Sequence, residues 1–191
     1  DGKPAGAFGD GEFWFHIDSG YAEKPYKYTF LFGMVLPSEG GNTRFANMYD
    51  AYDALSQPMK EKLSGRKALH IHEYKRSENV DRDVWGDLGD AMHYFHPVSI
   101  THPESGRKAL FVDRLMTARI QGLEKDDSDQ TLAKLFDHAE QDCFVYEHVW
   151  ELGDFVMWDN RCATHGRTWF PEDEVRLLRR CTVHAESKPE E

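Results

Sequence analysis

The stretch FVYEHVWELGDFVMWDN at residues 144–160 decides the fold class, together with VRLLRRCTVHA at residues 175–185. Both are rich in aromatic and β-branched residues, which favour strands, and they predict three strands in close succession. Residues 151–154 separate the first two runs and indicate a hairpin turn. Residues 26–36, YKYTFLFGMVL, predict a further long strand. Shorter strand-like runs occupy residues 13–18, 66–74 and 108–113.

Helices are inserted between these strands. Residues 48–64 have helical character, and Ser56 can cap a second short helix within them. Residues 129–139 place apolar side chains at helical spacing after Ser128, a candidate cap. Residues 75–100 mix charge, glycine and aromatics without a clear period, and we interpret them as a possible active-site lid. Dominant strands with two or three helices favour a mostly β fold of the sandwich or jelly-roll type.

Composition limits the class of protein. The length predicts a single domain over residues 1–191, and the 40% hydrophobic content is enough for a core. A formal net charge of −11 disfavours nucleic acid as a partner, because an acidic surface repels phosphates. No apolar run approaches the roughly 18 residues that a membrane span needs, so no membrane partner is expected. The three cysteines are an odd number without a Cys-x-x-Cys spacing and indicate a reducing cytoplasm: Cys143, Cys162 and Cys181.

His16 and Asp18 form the first candidate site. On a strand, side chains two residues apart point to the same face, so this imidazole and this carboxylate converge. They supply two of the three ligands of the 2-His-1-carboxylate triad that holds non-haem Fe(II). Taken alone, the pair is more readily explained by an exposed turn or a local hydrogen bond. The apolar run at residues 13–15 favours a buried site instead.

The third ligand has to come from elsewhere among the ten histidines. His165 follows a strand-like run and is predicted to start a loop, and loops beside rigid strands often carry ligands. His70 and His72 are also two residues apart and form a rival pair, although a structural role is the more frequent one for such histidines. Taken singly, His165 is likewise more often a surface or hydrogen-bonded residue, so spacing alone leaves the third ligand open.

Arg176 and Arg180 form the second candidate site. On a strand they share one face with Leu178, and two guanidinium groups in an apolar strand are costly to bury without anions. Guanidinium groups bind carboxylates bidentately, so the pair indicates an anion site, which is more informative in a chain of net charge −11. The alternative is an exposed sheet face with solvated arginines.

The order of these motifs resembles the TauD/TfdA family of Fe(II)- and 2-oxoglutarate-dependent dioxygenases. The resemblance covers nearly the whole chain, and the combination of motifs is specific although no single motif is. The matching pieces are FHID at 15–18, LPSEGGNTRFANMYDAYDALS at 36–56, HPVSITHPESGRKALFV at 96–112, GDFVMWDNRCATH at 153–165 and RLLRRCTV at 176–183. The resemblance implies a double-stranded β-helix, or jelly roll. Family members carry several dozen residues before the His-x-Asp motif, so this chain, which has no initiating Met, is expected to lack the N-terminal part of that fold.

The resemblance implies roles for six residues. His16, Asp18 and His165 match the iron ligands, Thr43 and Arg176 match residues that bind 2-oxoglutarate, and Arg180 matches an arginine that meets the anionic group of the substrate. The implied cofactors are Fe(II), 2-oxoglutarate as co-substrate and O2. The implied reaction hydroxylates a small organic anion, a carboxylate or a sulfonate, and releases succinate and CO2. The alternatives for Arg180 are pairing with the 1-carboxylate of 2-oxoglutarate or with a nearby Asp or Glu.

Three rival functions remain at this point: a non-enzymatic jelly-roll binding module, a zinc hydrolase with the same ligands, and an oxygenase that acts on a protein side chain. The paired arginines and Thr43 argue against the first, and the lack of a convincing general base argues against the second. Trp85, Tyr94 and Phe95 either line an aromatic substrate pocket or pack the lid against the sheet. The primary substrate and the oligomeric state, with a homo-oligomer possible, are left open.

Overall fold

The computed structural model describes residues 12–72 and 84–191. The strands are β1 (Phe13–His16), β2 (Tyr26–Val35), β3 (Thr43–Asn47), β4 (Lys67–Ile71), β5 (His93–Pro97), β6 (Ser99–Thr101), β7 (Lys108–Leu110), β8 (Thr117–Ile120), β9 (Val145–His148), β10 (Phe155–Asp159), β11 (Ala163–Arg167) and β12 (Leu177–His184). The helices are α1 (Met48–Asp53), α2 (Gln57–Leu63) and α3 (Lys125–Ala139), and a 3-10 turn covers Asp142–Phe144. The prediction of a mostly β fold with inserted helices is confirmed.

Two antiparallel sheets carry the candidate site. The first has four strands in the order β1-β11-β3-β9, and the second has three in the order β10-β2-β12. Two smaller sheets, β5-β4-β8 and β6-β7, complete the described fold. Strands that are distant in sequence become neighbours in both large sheets, as the jelly roll requires. This order brings residues 13–16 next to residues 163–167, because β1 pairs with β11.

The turn at residues 151–154 is real, but the prediction of a hairpin there is wrong. β9 pairs with β3 and β10 pairs with β2, so the turn passes the chain from one sheet to the other. The Asp154 side chain closes the turn by accepting a hydrogen bond from the backbone N–H of Glu151 (2.9 Å), and Gly153 adopts the left-handed region with φ +90. A tight turn between two strand-like runs does not specify that the runs pair with each other.

Helix boundaries also differ from the sequence prediction. Residues 48–64 do form the two predicted helices, and Ser56 is at the N-cap position of α2, although its side chain makes no capping hydrogen bond. α3 begins at Lys125, so Ser128 lies inside the helix and does not cap it. The Ser128 hydroxyl instead accepts a hydrogen bond from the backbone N–H of Ile120 (2.9 Å), which ties the helix to β8. No helix in the described part of the chain has the length and apolar character to cross a membrane.

The segment 75–100, interpreted from sequence as a possible lid, is partly regular. Residues 93–97 form β5, which pairs with β4, and residues 73–83 lie outside the described residues. Trp85 and Phe95 pack against a small buried cluster, with the Arg119 guanidinium over both rings. The observed contacts therefore match the packing alternative for these two aromatics, and neither borders the candidate site.

The main hydrophobic core supports the start of the chain. Phe15 and Ile17 are buried in it at 6% and 1% exposure, next to α1, α3 and the strands β6 and β7. His16 and Asp18 alternate with them along the chain and are themselves buried. The two apolar side chains thus anchor the segment in the core, and the two polar side chains are presented to the space between the large sheets.

Candidate metal centre

His16, Asp18 and His165 converge on one point between the two large sheets. His16 ends β1, Asp18 lies in the turn that follows, and His165 is the central residue of β11 directly opposite His16. One ligand atom from each of the three lies within 4.8 Å of the others. His165 is therefore a strand residue and does not start a loop, because β11 pairs on both sides, with β1 and with β3.

The donor atoms of these three residues are positioned to bind one small ion. The Nδ1 atom of His16 lies 3.0 Å from the carbonyl oxygen of Trp14, so Nδ1–H donates there and leaves the Nε2 lone pair free. Nε2 of His16 lies 3.7 Å from Asp18 Oδ1, and Nε2 of His165 lies 3.9 Å from Asp18 Oδ2. Two ligand atoms at about 2.1 Å from one ion are separated by at most about 4.2 Å. The donor set of two imidazoles and one carboxylate therefore fits Fe(II) with little rearrangement.

Electrostatics favours the protonation states that ligands need. Burial acts to raise the pKa of Asp18, but the electrostatic influence of the two imidazoles and the Arg180 guanidinium, with the hydrogen bond from Thr29, outweighs it and holds the pKa below its ordinary value. Burial lowers the pKa of His165 to about 3, and repulsion from His16 adds to the effect. A carboxylate anion beside a neutral imidazole is the state in which both residues can donate electron pairs to a metal.

The rival histidine pair does not form a comparable site among the described residues. His70 is fully buried, and its Nδ1 lies 3.2 Å from the Thr117 hydroxyl, whereas His72 packs on the ring of Tyr21. The neighbouring His96 is also buried, which lowers its pKa to about 3 and keeps the ring neutral. These contacts agree with a structural role for these histidines, which is the role that the sequence favoured for the pair.

A second group of possible ligands, His102, Asp159 and Cys162, is already used internally. The Asp159 carboxylate accepts hydrogen bonds from His102 Nε2 (3.1 Å) and from Arg161 Nε (2.9 Å). Burial raises the pKa of the Cys162 thiol to about 11, so its thiolate is disfavoured. A guanidinium on the carboxylate and a protonated thiol make this group a poor metal site.

Thr43 and Arg176 lie together in the pocket beside the metal ligands. The Thr43 hydroxyl oxygen accepts hydrogen bonds from Trp150 Nε1 (3.0 Å) and from Arg176 Nη2 (3.3 Å). Since these two donors occupy its lone pairs, the Thr43 hydrogen is left to donate to an acceptor in the pocket. Arg176 Nε donates to the Gly41 carbonyl (2.7 Å), which fixes the guanidinium in place.

The charge of Arg176 has no acidic counterpart among its described hydrogen-bond partners. Burial lowers its pKa to about 10, and the nearby Arg167 adds repulsion. The guanidinium remains charged at neutral pH, so an anion in the pocket relieves an unfavourable charge. Arg176 precedes β12, and a register shift separates Leu177 from Leu178, so its placement does not follow from regular strand alternation as the sequence argument assumed.

Arg180 also lines the pocket, and its Nη2 atom lies 2.7 Å from Asp18 Oδ1. Its side chain is 39% exposed, which leaves part of the guanidinium accessible from solvent. The structure therefore shows the pairing with a nearby Asp that the sequence left open as an alternative. The two interpretations are compatible, because a guanidinium has five N–H donors and can bind two anions.

Sequence reasoning missed several residues that border the pocket. Phe13, Leu31 and Trp158 form apolar walls, and Arg167 adds a third arginine. Arg167 lies two residues after His165 on the same strand, so the alternation of a strand could have identified it. The other three are brought in by sheet pairing, which the sequence does not specify.

The Gly-Gly turn before Thr43 is a close approach that only glycine permits. Gly40 and Gly41 have φ values of +68 and +65. A Cβ on Gly40 would lie 2.1 Å from the Trp169 carbonyl oxygen, and one on Gly41 would lie 2.9 Å from Cδ of Arg176. The turn therefore packs against the segment that carries the arginine and holds Thr43 and Arg176 side by side.

Comparisons with known proteins agree with this geometry. The sequence matches the family described as "Taurine catabolism dioxygenase TauD, TfdA family" over residues 1–182. The alpha-ketoglutarate-dependent 2,4-dichlorophenoxyacetate dioxygenase of Cupriavidus pinatubonensis is 37% identical over 169 residues, which are 88% of this chain and 58% of the relative. The (S)-phenoxypropionate/alpha-ketoglutarate-dioxygenase of Sphingobium herbicidovorans is 37% identical over 175 residues, 88% of this chain and 61% of the relative. The chain thus spans less than two thirds of the length of these relatives.

A solved structure extends the similarity to the fold. The protein named AAD-2, solved in complex with Mn(II) and N-oxalylglycine, superposes with a TM-score of 0.82 at 32% sequence identity. The match covers 91% of this chain and 69% of the AAD-2 chain.

Proposed function

The chain belongs to the TauD/TfdA family of dioxygenases, and from that membership we propose that it hydroxylates a small organic anion in an Fe(II)- and 2-oxoglutarate-dependent reaction. The proposal rests on one observation: a single pocket contains both a candidate metal site and a candidate anion site. It combines the convergent donor set His16, Asp18 and His165 with the anion site of Thr43 and Arg176. A non-enzymatic binding module would not need a metal site and an anion site in the same pocket.

The residues of the pocket would have different roles in the reaction. His16, Asp18 and His165 would hold the iron. Bound Fe(II) and 2-oxoglutarate together supply the activation of O2 for C–H hydroxylation, with succinate and CO2 as co-products. Arg176 and the hydroxyl of Thr43 bind and orient the distal carboxylate of the co-substrate. The apolar side chains of Phe13, Leu31 and Trp158 limit the access of water to the reacting atoms.

The co-substrate assignment has independent support from a relative. AAD-2 was solved with Mn(II) and N-oxalylglycine, and that molecule differs from 2-oxoglutarate by one NH in place of a CH2 group. A pocket of similar fold therefore accommodates a metal and a dicarboxylate of this shape. In this chain the positive charge available for such a dianion comes from Arg176, with Arg167 nearby.

Arg180 supports a proposal for the class of substrate. This arginine lies in the same pocket as Arg176 and is partly exposed, so an acid group of the substrate can reach it. The relatives are named for 2,4-dichlorophenoxyacetate and (S)-phenoxypropionate, both of which are carboxylates. We propose a small carboxylate or sulfonate as the substrate, held by Arg180 so that one C–H bond faces the iron.

Replacing Arg180 with Gln should reduce turnover of acids selectively. The test is a screen of compounds matched in shape with and without the acid group, run on the wild type and on Arg180→Gln. Arg179→Gln is the matched control, because Arg179 is exposed, directly precedes Arg180 on β12 and by strand alternation belongs to the opposite face. Equal hydroxylation of neutral and acidic compounds by the wild type, without a selective loss in the Arg180 variant, would contradict an anionic substrate.

The reaction class itself is tested by product analysis. The protein loaded with Fe(II) should convert 2-oxoglutarate to succinate in the presence of O2, and a true substrate should increase the rate. An oxygenase acting on a protein side chain should instead respond to peptides and not to small acids. If no condition gives succinate above the metal-free background, the proposed activity is refuted.

Domain organisation and location complete the proposal. The family match over residues 1–182 and the main hydrophobic core, to which residues from Phe15 to Ala139 contribute, support a single domain over residues 1–191. Cys143, Cys162 and Cys181 are free thiols, which supports a reducing cytoplasm. We also propose a small-molecule substrate, with a possible homo-oligomer and without nucleic-acid or membrane partners, because the net charge of −11 repels phosphates.

A further inference from the structure

A buried hydroxyl contacts the carboxylate of the metal centre. Thr29 lies in the middle of β2 with no exposed surface, and its Oγ1 atom lies 2.6 Å from Oδ2 of Asp18. The hydrogen bond is short, as expected when a hydroxyl donates to an anion. Thr29 belongs to none of the sequence motifs that identified the site.

The side chain of Asn160 determines the direction of that hydrogen bond. Its Nδ2 atom donates to Thr29 Oγ1 at 3.0 Å. Its Oδ1 atom accepts from Trp158 Nε1 at 3.0 Å and from the backbone N–H of Asp18 at 3.4 Å. An indole N–H and a backbone N–H can only donate, so the amide oxygen must face them and the amide nitrogen must face Thr29.

This arrangement leaves one position for the hydroxyl hydrogen. Because Asn160 donates to Thr29 Oγ1, the single hydrogen of Thr29 is available for Asp18. The carboxylate thus receives a hydrogen bond of fixed direction on Oδ2, and Arg180 provides another on Oδ1. All the groups of this network except Arg180 are buried, with exposures of 0–6% for Thr29, Asn160, Asp18 and Trp158.

The hydrogen bond also links the two large sheets. Asp18 follows β1 of the four-stranded sheet, whereas Thr29, Trp158 and Asn160 belong to or follow strands of the three-stranded sheet. Without the Thr29 hydroxyl, the carboxylate of Asp18 is free to rotate towards Arg180, because arginine binds carboxylates best with both oxygens. Such a rotation would withdraw Asp18 from His16 and His165.

We propose that Thr29 is a positioning residue for the metal ligand Asp18, and that Asn160 sets the direction of its hydrogen bond. The inference rests on the proposed function in one respect, since it assumes that Asp18 binds a metal. Thr29 holds the carboxylate in the orientation that faces the two histidines against the competing attraction of Arg180. Removing a residue that hydrogen-bonds to a metal ligand commonly weakens metal binding by about 10- to 100-fold.

A purely structural role for Thr29 predicts a different result. In that case the loss of the hydroxyl lowers the stability of the protein, while the folded fraction binds metal with unchanged affinity. Metal affinity of the folded protein, measured without co-substrate and without turnover, therefore separates the two roles. Co(II) is a suitable probe because its visible absorption changes when protein ligands bind it.

The experiment is an anaerobic Co(II) titration of the wild type, Thr29→Val and Thr29→Ser. Valine keeps the shape of threonine without the hydroxyl, and serine keeps the hydroxyl. We expect Thr29→Val to bind Co(II) about 10- to 100-fold more weakly and Thr29→Ser to remain close to the wild type. Thr131→Val is the matched control, because Thr131 is a buried threonine of α3 that does not border the pocket.

Thermal unfolding of each variant shows that the titrated protein is folded, and Thr29→Ala replaces Thr29→Val if valine prevents folding. Wild-type affinity in the folded variant without the hydroxyl overturns the inference, as does an equal loss in Thr29→Ser. If the wild type itself binds no Co(II), the metal site is refuted and the proposed function fails with it. Wild-type binding with an unaffected Thr29→Val refutes the positioning role alone.

Discussion

Asp18→Ala and His16→Ala should each abolish Fe(II) binding and 2-oxoglutarate turnover while the protein stays folded. Each change removes one of three ligands, and the remaining two donors hold a divalent ion poorly at neutral pH. The loss of metal affinity should be larger than in Thr29→Val. These substitutions remove a metal ligand, whereas Thr29→Val removes only a hydrogen bond that positions one. The fold should persist because Phe15 and Ile17, which anchor this segment in the core, are unchanged.

The measurement is the Fe(II) content of each variant after anaerobic loading, together with succinate formation. His93→Ala is the matched control for His16→Ala, because His93 is an exposed histidine of β5 outside the pocket. Circular dichroism of the variants establishes that they are folded. Full activity in both ligand variants would show that these residues are not the metal ligands.

Arg176→Leu should raise the 2-oxoglutarate concentration needed for half-maximal rate by a factor of hundreds or more. The guanidinium is largely withdrawn from solvent, and burial already lowers its pKa to about 10. Removing one partner of a buried ion pair costs about 3–5 kcal/mol, since the other charge is left uncompensated. At 1.4 kcal/mol for each factor of ten, this corresponds to about 100- to 4,000-fold in affinity.

Arg179→Leu is the control for this experiment, because the same loss of charge then occurs on the exposed face of β12. Binding of 2-oxoglutarate to the metal-loaded protein is measured directly, so that an effect on the co-substrate is separated from an effect on the substrate. The same dependence on 2-oxoglutarate in the wild type and Arg176→Leu would show that the distal carboxylate is bound elsewhere.

The sequence predicted the fold class because its long strand-like runs are unambiguous. It could not specify which strands pair, since pairing depends on contacts between distant residues. The turn at residues 151–154 illustrates this point, because two consecutive strands, β9 and β10, are joined by only six residues (149–154) and yet enter different sheets. β5 was missed for a different reason: its sequence, HYFHP, places two adjacent aromatics between two histidines and gives no clear apolar face.

The candidate site, too, was predictable from the sequence only in part. The residues assigned to the metal and to 2-oxoglutarate lie in short motifs whose order along the chain resembles a family, and the structure brings His16, Asp18 and His165 together. Thr29 lies outside these motifs, and Asn160 lies within the motif at 153–165 but received no role from the sequence. Their roles depend on the register of β2 and β10, in which Trp158 is paired with Thr29. A register of this kind is set by the folded sheet and is not readable from local sequence.

The most direct test of the account is the anaerobic addition of 2-oxoglutarate to the protein loaded with Fe(II). If His16, Asp18 and His165 hold the iron beside the anion site of Thr43 and Arg176, a weak visible charge-transfer band should appear and saturate with 2-oxoglutarate. The band should be absent in Asp18→Ala and should require far more 2-oxoglutarate in Arg176→Leu. A protein that binds Fe(II) but develops no band at any 2-oxoglutarate concentration would contradict the proposed function.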